Sequence, residues 1–435
     1  MTTHSSLGGA GNGARQHKYH ALTAPLGFDL ASLESKQQPA QFFERIRLEG
    51  DIVPLKMPFV GKAWVTASYA ASEAMLKDNA LFVQEARHAG RSGVAGMTWW
   101  MPRSIKLLAT NNMLLKDEPD HRRLRKLVDK AFQRRRVRDM RAEINAIADG
   151  LLDEAEMRGS FDLVKDYARP LPLEVICALL GLPVKNREVF SSWAKAATSM
   201  RSSLGILRAF VSMRGVVNYV REQIDECRRN PREGLITELV QAEEDGDRLS
   251  EDELVSMVFL LLFAGFETTT HLITDSVIAL EQNPTQKAYL LANTEERIER
   301  ATEELGRFTT PVQMTKPRYV SADCTFFGQR LKRGEIVLGL LAGANYDPAV
   351  FDDPGVLKLD RFPNPHLVFS SGVHFCLGMQ LARVETQCAL SRLYARHPGL
   401  RLADPNNLRW IKRMGLRGVS ELPVLLNDEV SRKAA

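Results

Sequence analysis

The stretch from Ser250 to Pro284 constrains this chain more than any other part of it. Ser250-Glu251-Asp252-Glu253 reads as a capping box, in which the serine hydroxyl and the glutamate carboxylate each satisfy a backbone N–H of the first turn. Leu249 and Leu254 stand where a hydrophobic staple packs. The helix so opened can run to about Gln282, where Asn283-Pro284 stops it. At a rise of about 1.5 Å per residue it is about 48 Å long, enough to cross the whole molecule. From Leu254 to Phe266 it is apolar nearly all round, so it must be buried.

The rest of the chain can supply that burial. Its 435 residues are 44% hydrophobic and 26% charged, which excludes a collagen-like repeat, a disulfide-rich scaffold and wholesale disorder. No internal repeat or linker divides it into modules. Residues 1–20 are rich in Gly, Ser, Thr and His and read as a loose tail, leaving 21–435 as one domain. From about 116 to 305 the apolar periodicity is helical. From 317 to 345 it changes to short strands: Thr325–Phe327 and Arg330–Lys332 form a hairpin about Gly328-Gln329, and Ile336–Leu341 is a buried run. A Pro- and Asp-rich meander over 346–366, a helix from about Cys376 and short C-terminal strands complete the pattern. The expected fold is mainly α with small segregated β-sheets. No apolar leader opens the chain, and the run Leu254–Phe266 is shorter than the ~20 residues a membrane span requires. A soluble, cytoplasmic, monomeric protein is expected.

The middle of the long helix breaks local rules. Ala264-Gly265-Phe266-Glu267-Thr268-Thr269-Thr270 puts a glycine and three β-branched residues where a helix disfavours them. A buried carboxylate and hydroxyl are costly without partners. Threonine hydroxyls can bond back to the preceding turn and bend the helix, opening space for a ligand or water. The plain alternative is a polar cluster that only sets helix register.

Five cysteines, at 177, 227, 324, 376 and 388, form no CxxC pair, which argues against a zinc site or a disulfide framework. One has unusual flanks: Phe369-Ser370-Ser371-Gly372-Val373-His374-Phe375-Cys376-Leu377-Gly378. A glycine-punctuated loop carries Cys376 to the start of a helix, Leu377 to about Arg396, where backbone N–H groups and the dipole favour a thiolate. Gly372 and Gly378 would let a flat ligand approach the backbone, and His374 offers a donor to an anionic group on it. An isolated cysteine is most often an inert core thiol; the ten-residue context argues otherwise.

That segment resembles the haem-binding loop of the cytochrome P450 family, FxxGxHxCxG, at every set position. Further motifs follow the family's order from about 21 to 425. Ala264-Gly265-Phe266-Glu267-Thr268 resembles its oxygen-activation stretch, Glu304-Leu305-Gly306-Arg307 its E-x-x-R helix, and Arg361 the third member of that network. His121-Arg122-Arg123-Leu124-Arg125 resembles its H-x-x-x-R helix, and Arg318 sits at the corresponding strand position. Tyr346 stands where many bacterial relatives carry Arg, a departure expected to alter the proximal surface.

The resemblance implies a monooxygenase that inserts one oxygen atom from O2 into a hydrophobic small molecule, by hydroxylation or epoxidation. Cys376 would be the iron ligand of haem b. His121, Arg125, Arg318 and His374 would hold the propionates, with Ala264, Gly265, Phe369, Gly372 and Gly378 against the ring. Thr268 and Glu267 would deliver protons. Electrons would come from a separate ferredoxin or flavodoxin with its reductase, so NAD(P)H serves only indirectly. By the same resemblance Met97 and Trp100, in the loop before His121, together with Val312 and Val419, would line a substrate pocket. A terpenoid, steroid, fatty acid or polyketide would suit such a lining. A peroxide-driven haem-thiolate enzyme and a non-catalytic haem-binding sensor are the alternatives.

Charge points to a partner. From His121 to Arg141 ten Lys and Arg residues stand against Asp129 and Asp139, a local net charge of +8. Leu124, Leu127, Val128, Ala131 and Phe132 make the inward stripe, which leaves the basic side chains beyond His121 and Arg125 to face outward. Without aromatic interleaving or a supporting motif, nucleic acid is not expected. Steering of an acidic electron donor is.

Overall fold

In the computed structural model the described residues are 27–57, 61–91, 112–134, 140–158, 161–183, 203–244 and 246–426. The tail at 1–20 and the pocket candidates Met97 and Trp100 lie outside them.

The central helix forms as its sequence dictates, Glu251–Gln282. Ser250 Oγ accepts the Glu253 N–H, and the Glu253 carboxylate accepts the Ser250 N–H at 2.8 Å. At the other end Asn283 donates its side-chain amide to the Ala279 carbonyl at 2.8 Å, and Pro284 opens a new helix, Pro284–Ala292. The central helix is long and apolar enough to cross a bilayer. Here every residue from Thr269 to Leu280 is instead buried by the protein around it.

That jacket is helical: Asp120–Arg134, Arg141–Arg158, Pro170–Leu180, Ser203–Arg229, Thr294–Thr309 and Met379–Arg396. Leu262, Phe266, Ile273 and Val277 of the central helix share one core with Ile176, Leu179, Ala389 and Leu393. Each of these side chains larger than alanine contributes about 1.5–3 kcal/mol by leaving water. The stripe Leu124, Leu127, Val128 and Ala131 faces inward as expected. A Cβ on Gly265 would meet Ile176 Cδ1 at 3.1 Å. Its missing side chain therefore serves the close approach of two helices.

The strands are small and set apart. Five form one sheet in the order Ile52–Met57, Gly61–Thr66, Ile336–Gly339, Arg318–Val320, Phe82–Val83. The parallel pairing of Gly61–Thr66 with Ile336–Gly339 joins residues from the two ends of the chain. Cys324–Phe326 and Gln329–Leu331 make the expected hairpin. Its turn is Phe327-Gly328 rather than Gly328-Gln329, with φ of 46° and 76°, the doubly positive geometry of a two-residue hairpin turn.

A buried polar knot also joins the two ends of the chain. Arg417 donates from Nε to the Lys36 carbonyl at 2.9 Å, and Gln313 donates to the Ser35 carbonyl at 3.3 Å. The Lys36 ammonium bonds the Leu30 carbonyl at 3.0 Å and the Gln313 side-chain oxygen. Arg417 Nη1 lies 3.4 Å from Asp275 Oδ2 on the central helix. Burial, opposed by Arg417 and Lys36, pushes the Asp275 carboxyl up to about 6. Burial, assisted by Arg417, brings Lys36 down to about 8.

Candidate active site

Four basic side chains from three separate parts of the fold converge beside Cys376. His121 and Arg125 come one turn apart from the helix Asp120–Arg134, Arg318 from the five-stranded sheet, and His374 from the loop before the cysteine. The His121 and His374 rings lie 4.2 Å apart. His121 Nδ1 is buried without a hydrogen-bond partner, since Glu118 lies 3.6 Å away. Arg318 Nε is likewise buried and unpartnered, while its Nη1 donates to the Met75 and Leu76 carbonyls. Burial first, and then His121, Arg318 and Arg125, push His374 down to about 3. Burial also lowers Arg318, to about 10. Orphaned donors beside two arginines and two imidazoles that burial holds neutral are costly unless an anion completes them. The donor set suits a group with two carboxylates at its edge.

The cysteine loop is held from both sides. The Cys376 N–H donates to the Phe369 carbonyl at 3.0 Å, and Arg125 Nη1 donates to the Phe375 carbonyl at 2.9 Å. The following helix begins at Met379, with Gly378 as its cap, two residues later than the sequence suggests. Cys376 is exposed by surface area although atoms of the chain crowd around it. Burial raises its thiol, outweighing the Gly378 N–H, Arg125 and Arg383. The N–H groups and helix dipole alone do not make the expected thiolate; a bound cation would. The two glycines differ in purpose. Gly372 has φ +72°, and a Cβ there would lie 2.4 Å from the Leu76 carbonyl oxygen, so its need is a protein contact rather than a ligand. A Cβ on Gly378 would meet nothing within 4 Å. That open position could admit a flat ligand.

On the central helix, Ala264 is exposed and Gly265, Glu267 and Thr268 are half-buried, although the residues on either side of this stretch are mostly buried. Thr268, Thr269 and Thr270 donate their hydroxyls to the carbonyls of Ala264, Gly265 and Phe266 at 3.0, 3.2 and 2.8 Å. The back-bonding follows expectation, and the helix runs unbroken through it. Glu267 is ion-paired at two points with Arg413, a partner its sequence context did not suggest. Glu385, nine residues after Cys376, was also missed. It is wholly buried beside Thr269, and burial raises its carboxyl well above the usual range.

The Glu–Arg–Arg network is complete. Arg307 meets Glu304 with two bonds of 2.7 Å, and Arg361 Nε lies 3.1 and 3.0 Å from the same carboxylate. Arg307 Nη1 then donates to the Asn345 and Pro354 carbonyls, and Arg361 Nη1 to that of Asp352. This ties the meander to the helix Thr294–Thr309.

Comparison with known proteins decides the family. The family model described as Cytochrome P450 matches residues 207–396. The polyketide biosynthesis cytochrome P450 PksS of Bacillus subtilis is 36% identical over 398 residues, covering 91% of this chain and 97% of its own. The chain belongs to the cytochrome P450 family. The structure of the bacillaene polyketide synthase P450 PksS superposes with a TM-score of 0.83, covering 92% of this chain and 99% of that one. The mycinamicin IV hydroxylase/epoxidase of Micromonospora griseorubida is 39% identical over 374 residues, 85% of this chain and 91% of that protein. P450BioI, solved with a fatty-acyl-loaded acyl carrier protein, has a TM-score of 0.81 at 34% identity, covering 91% of this chain and all of that one. This P450 is a monooxygenase of the haem-thiolate class, and the cluster of two arginines and two imidazole donors at Cys376 fits a haem with its propionates.

Several expectations change in this P450. Val419 is 0% exposed, packed in the main core, and cannot line a pocket; Val312 is half-buried. Tyr346, expected to alter the proximal surface, is instead buried, its ring stacked with Phe43. The basic helix also presents fewer outward charges than counted. Arg123 is paired with Asp247 and Glu253, and Arg141 with the Gln387 side chain. Arg122 is paired with Glu118 at 3.0 Å, yet its side chain and that of Lys126 remain exposed.

Proposed function

We propose that this P450 oxidises a hydrophobic molecule of polyketide or acyl type, hydroxylating a C–H bond or epoxidising a double bond. The observation that carries the reading is the convergence of His121, Arg125, Arg318 and His374, two of them with orphaned buried nitrogens, beside the open sulfur of Cys376. In this reading Cys376 Sγ ligates the iron, and the four basic residues hold the propionates. Gly378 and Ala264 leave room for the ring. Haem, when bound, supplies the centre at which O2 is reduced and cleaved.

The chain's own residues handle protons and substrate. The Thr268 hydroxyl donates to the Ala264 carbonyl, which leaves its lone pairs to accept from a water. Glu267 is partly exposed and can exchange protons with solvent. Phe259 and Phe263, stacked at 4.4 Å, and Leu260 are only partly buried on the turn before Ala264, an apolar surface suited to a hydrophobic substrate. The relatives named for polyketide and fatty-acyl chemistry support the same class. Electrons are supplied by a separate ferredoxin or flavodoxin and its NAD(P)H-dependent reductase, docking where Arg122 and Lys126 are exposed. Residues 21–435 act as one haem domain, in the cytoplasm.

The test is the absorption spectrum of the ferrous protein with carbon monoxide, beside Cys376→Ala. A strongly red-shifted Soret band, lost in the variant, supports the reading. A band typical of histidine ligation, or no haem at all, overturns it. Polyketide and fatty-acyl compounds are then screened by the spin shift they cause.

A further inference from the structure

The helix that carries Glu304 also carries a second carboxylate, Glu303, which the Glu–Arg–Arg network does not use. Glu303 takes two bonds from Arg383, at 2.7 and 2.6 Å, and one contact from His366 Nε2 at 3.1 Å. Its two partners flank one ring. The Arg383 guanidinium lies 5.1 Å from the centroid of Phe369, and the His366 ring lies 6.0 Å from it. Phe369 is the residue whose carbonyl accepts the Cys376 N–H. A single carboxylate therefore ties together the helix Thr294–Thr309, the helix after Cys376 and the loop before it.

The electrostatics follow the geometry. Burial pushes the Glu303 carboxyl up, but His366 and Arg383 outweigh it and hold it below the usual range. Arg383 stands four residues into the helix that follows Cys376, over the ring of the residue whose carbonyl holds the Cys376 N–H. A guanidinium over an aromatic face adds about 0.5–2 kcal/mol to the ring's placement.

We propose that Glu303, Arg383 and His366 form a bracket that positions Phe369, and that Arg383 and Glu303 set the local charge felt by Cys376. This rests on Cys376 being the iron ligand. Arg383 is a positioning residue with an electrostatic duty. Its positive charge favours adding an electron at the metal, and Glu303 tempers that charge.

The two carboxylate-bracket variants therefore act in opposite senses. The test is the ferric/ferrous midpoint potential of the haem-loaded enzyme, measured for wild type, Arg383→Gln, Glu303→Gln and Arg383→Lys. Arg383→Gln removes a cation and shifts the potential negative. Glu303→Gln leaves Arg383 uncompensated and shifts it positive. Arg383→Lys keeps the charge and stays nearer wild type than Arg383→Gln does. Shifts of one sign in both Gln variants, or none in either, overturn the proposal. If Arg383→Gln loses its haem, Arg383→Lys decides: haem retained at a near-native potential supports the bracket, and loss there too makes the residue merely structural. A wild-type protein without the red-shifted ferrous carbon monoxide band counts against Cys376 ligation itself, a failure distinct from that of the bracket.

Discussion

Arg413 covers both oxygens of Glu267, Nη1 to Oε1 at 3.0 Å and Nη2 to Oε2 at 2.9 Å. The two residues are 146 apart in sequence, and Glu267 immediately precedes Thr268. Their side chains remain 36% and 45% exposed, so the pair contributes at most about 1 kcal/mol and can open. An acid that relays protons needs that freedom. Glu267→Gln is expected to slow turnover by about 100-fold, the lower end of what a general acid contributes, without altering the haem spectrum. Unchanged turnover and coupling would leave Glu267 as no more than an anchor for Arg413.

Thr268→Ala is expected to divert electrons into peroxide while haem binding persists. Peroxide released per NAD(P)H consumed is the readout. An undiminished yield of product per NAD(P)H removes Thr268 from proton delivery.

Breaking the buried network should be severe. Glu304→Gln removes the charge that compensates both Arg307, itself 0% exposed, and Arg361. Uncompensated buried charge costs about 3–5 kcal/mol, so a large fall in thermal midpoint or failure to retain haem is expected. A midpoint within a degree or two of wild type would show that solvent reaches these arginines.

The polar knot at the chain ends gives a pH signature. Asp275 has its folded-state value raised to about 6 from 3.8, so the fold prefers it protonated. Its contribution to stability is therefore full below pH 4, declines as pH rises towards 6, and is flat above. The decline is on the order of 3 kcal/mol. Wild-type stability minus that of Asp275→Asn, from urea titrations at pH 4, 5, 6 and 7, should fall by that amount and then level. A difference that does not change with pH contradicts the assignment.

Charge reversal sorts the basic helix. Arg122→Glu and Lys126→Glu should slow reduction by an acidic electron donor and weaken its salt dependence, with little change in the thermal midpoint because the Arg122–Glu118 pair is exposed. Arg123→Glu should instead lower the midpoint, because Arg123 bridges Asp247 and Glu253. Equal reduction rates in the first pair would move the docking face elsewhere.

What could be read in the chain beforehand was local. The capping box at Ser250, the hydroxyls of Thr268 to Thr270 and the pair Glu304–Arg307 all bond within three or four residues, a distance that sequence spacing reports. The cysteine loop was legible because ten adjacent residues carry it. The missed features join segments far apart. Arg413 reaches Glu267, Arg383 reaches Glu303, and Ile176 occupies the space that Gly265 leaves. Gly372 was read as ligand space because the Leu76 carbonyl that demands it lies almost three hundred residues earlier. Arg123 counted as an outward charge for the same reason: its acids sit at the start of the central helix and just before it.

During synthesis, Lys36 leaves the ribosome 381 residues ahead of the arginine that will donate to its carbonyl. Until Arg417 emerges, neither that carbonyl nor the Asp275 carboxylate has its guanidinium. A contact of such span forms late and slowly compared with the helices between its ends. The helix Leu33–Gln37 is therefore among the last to lock, and a nascent chain that stalls short of Arg417 holds it through Gln313 alone of the knot.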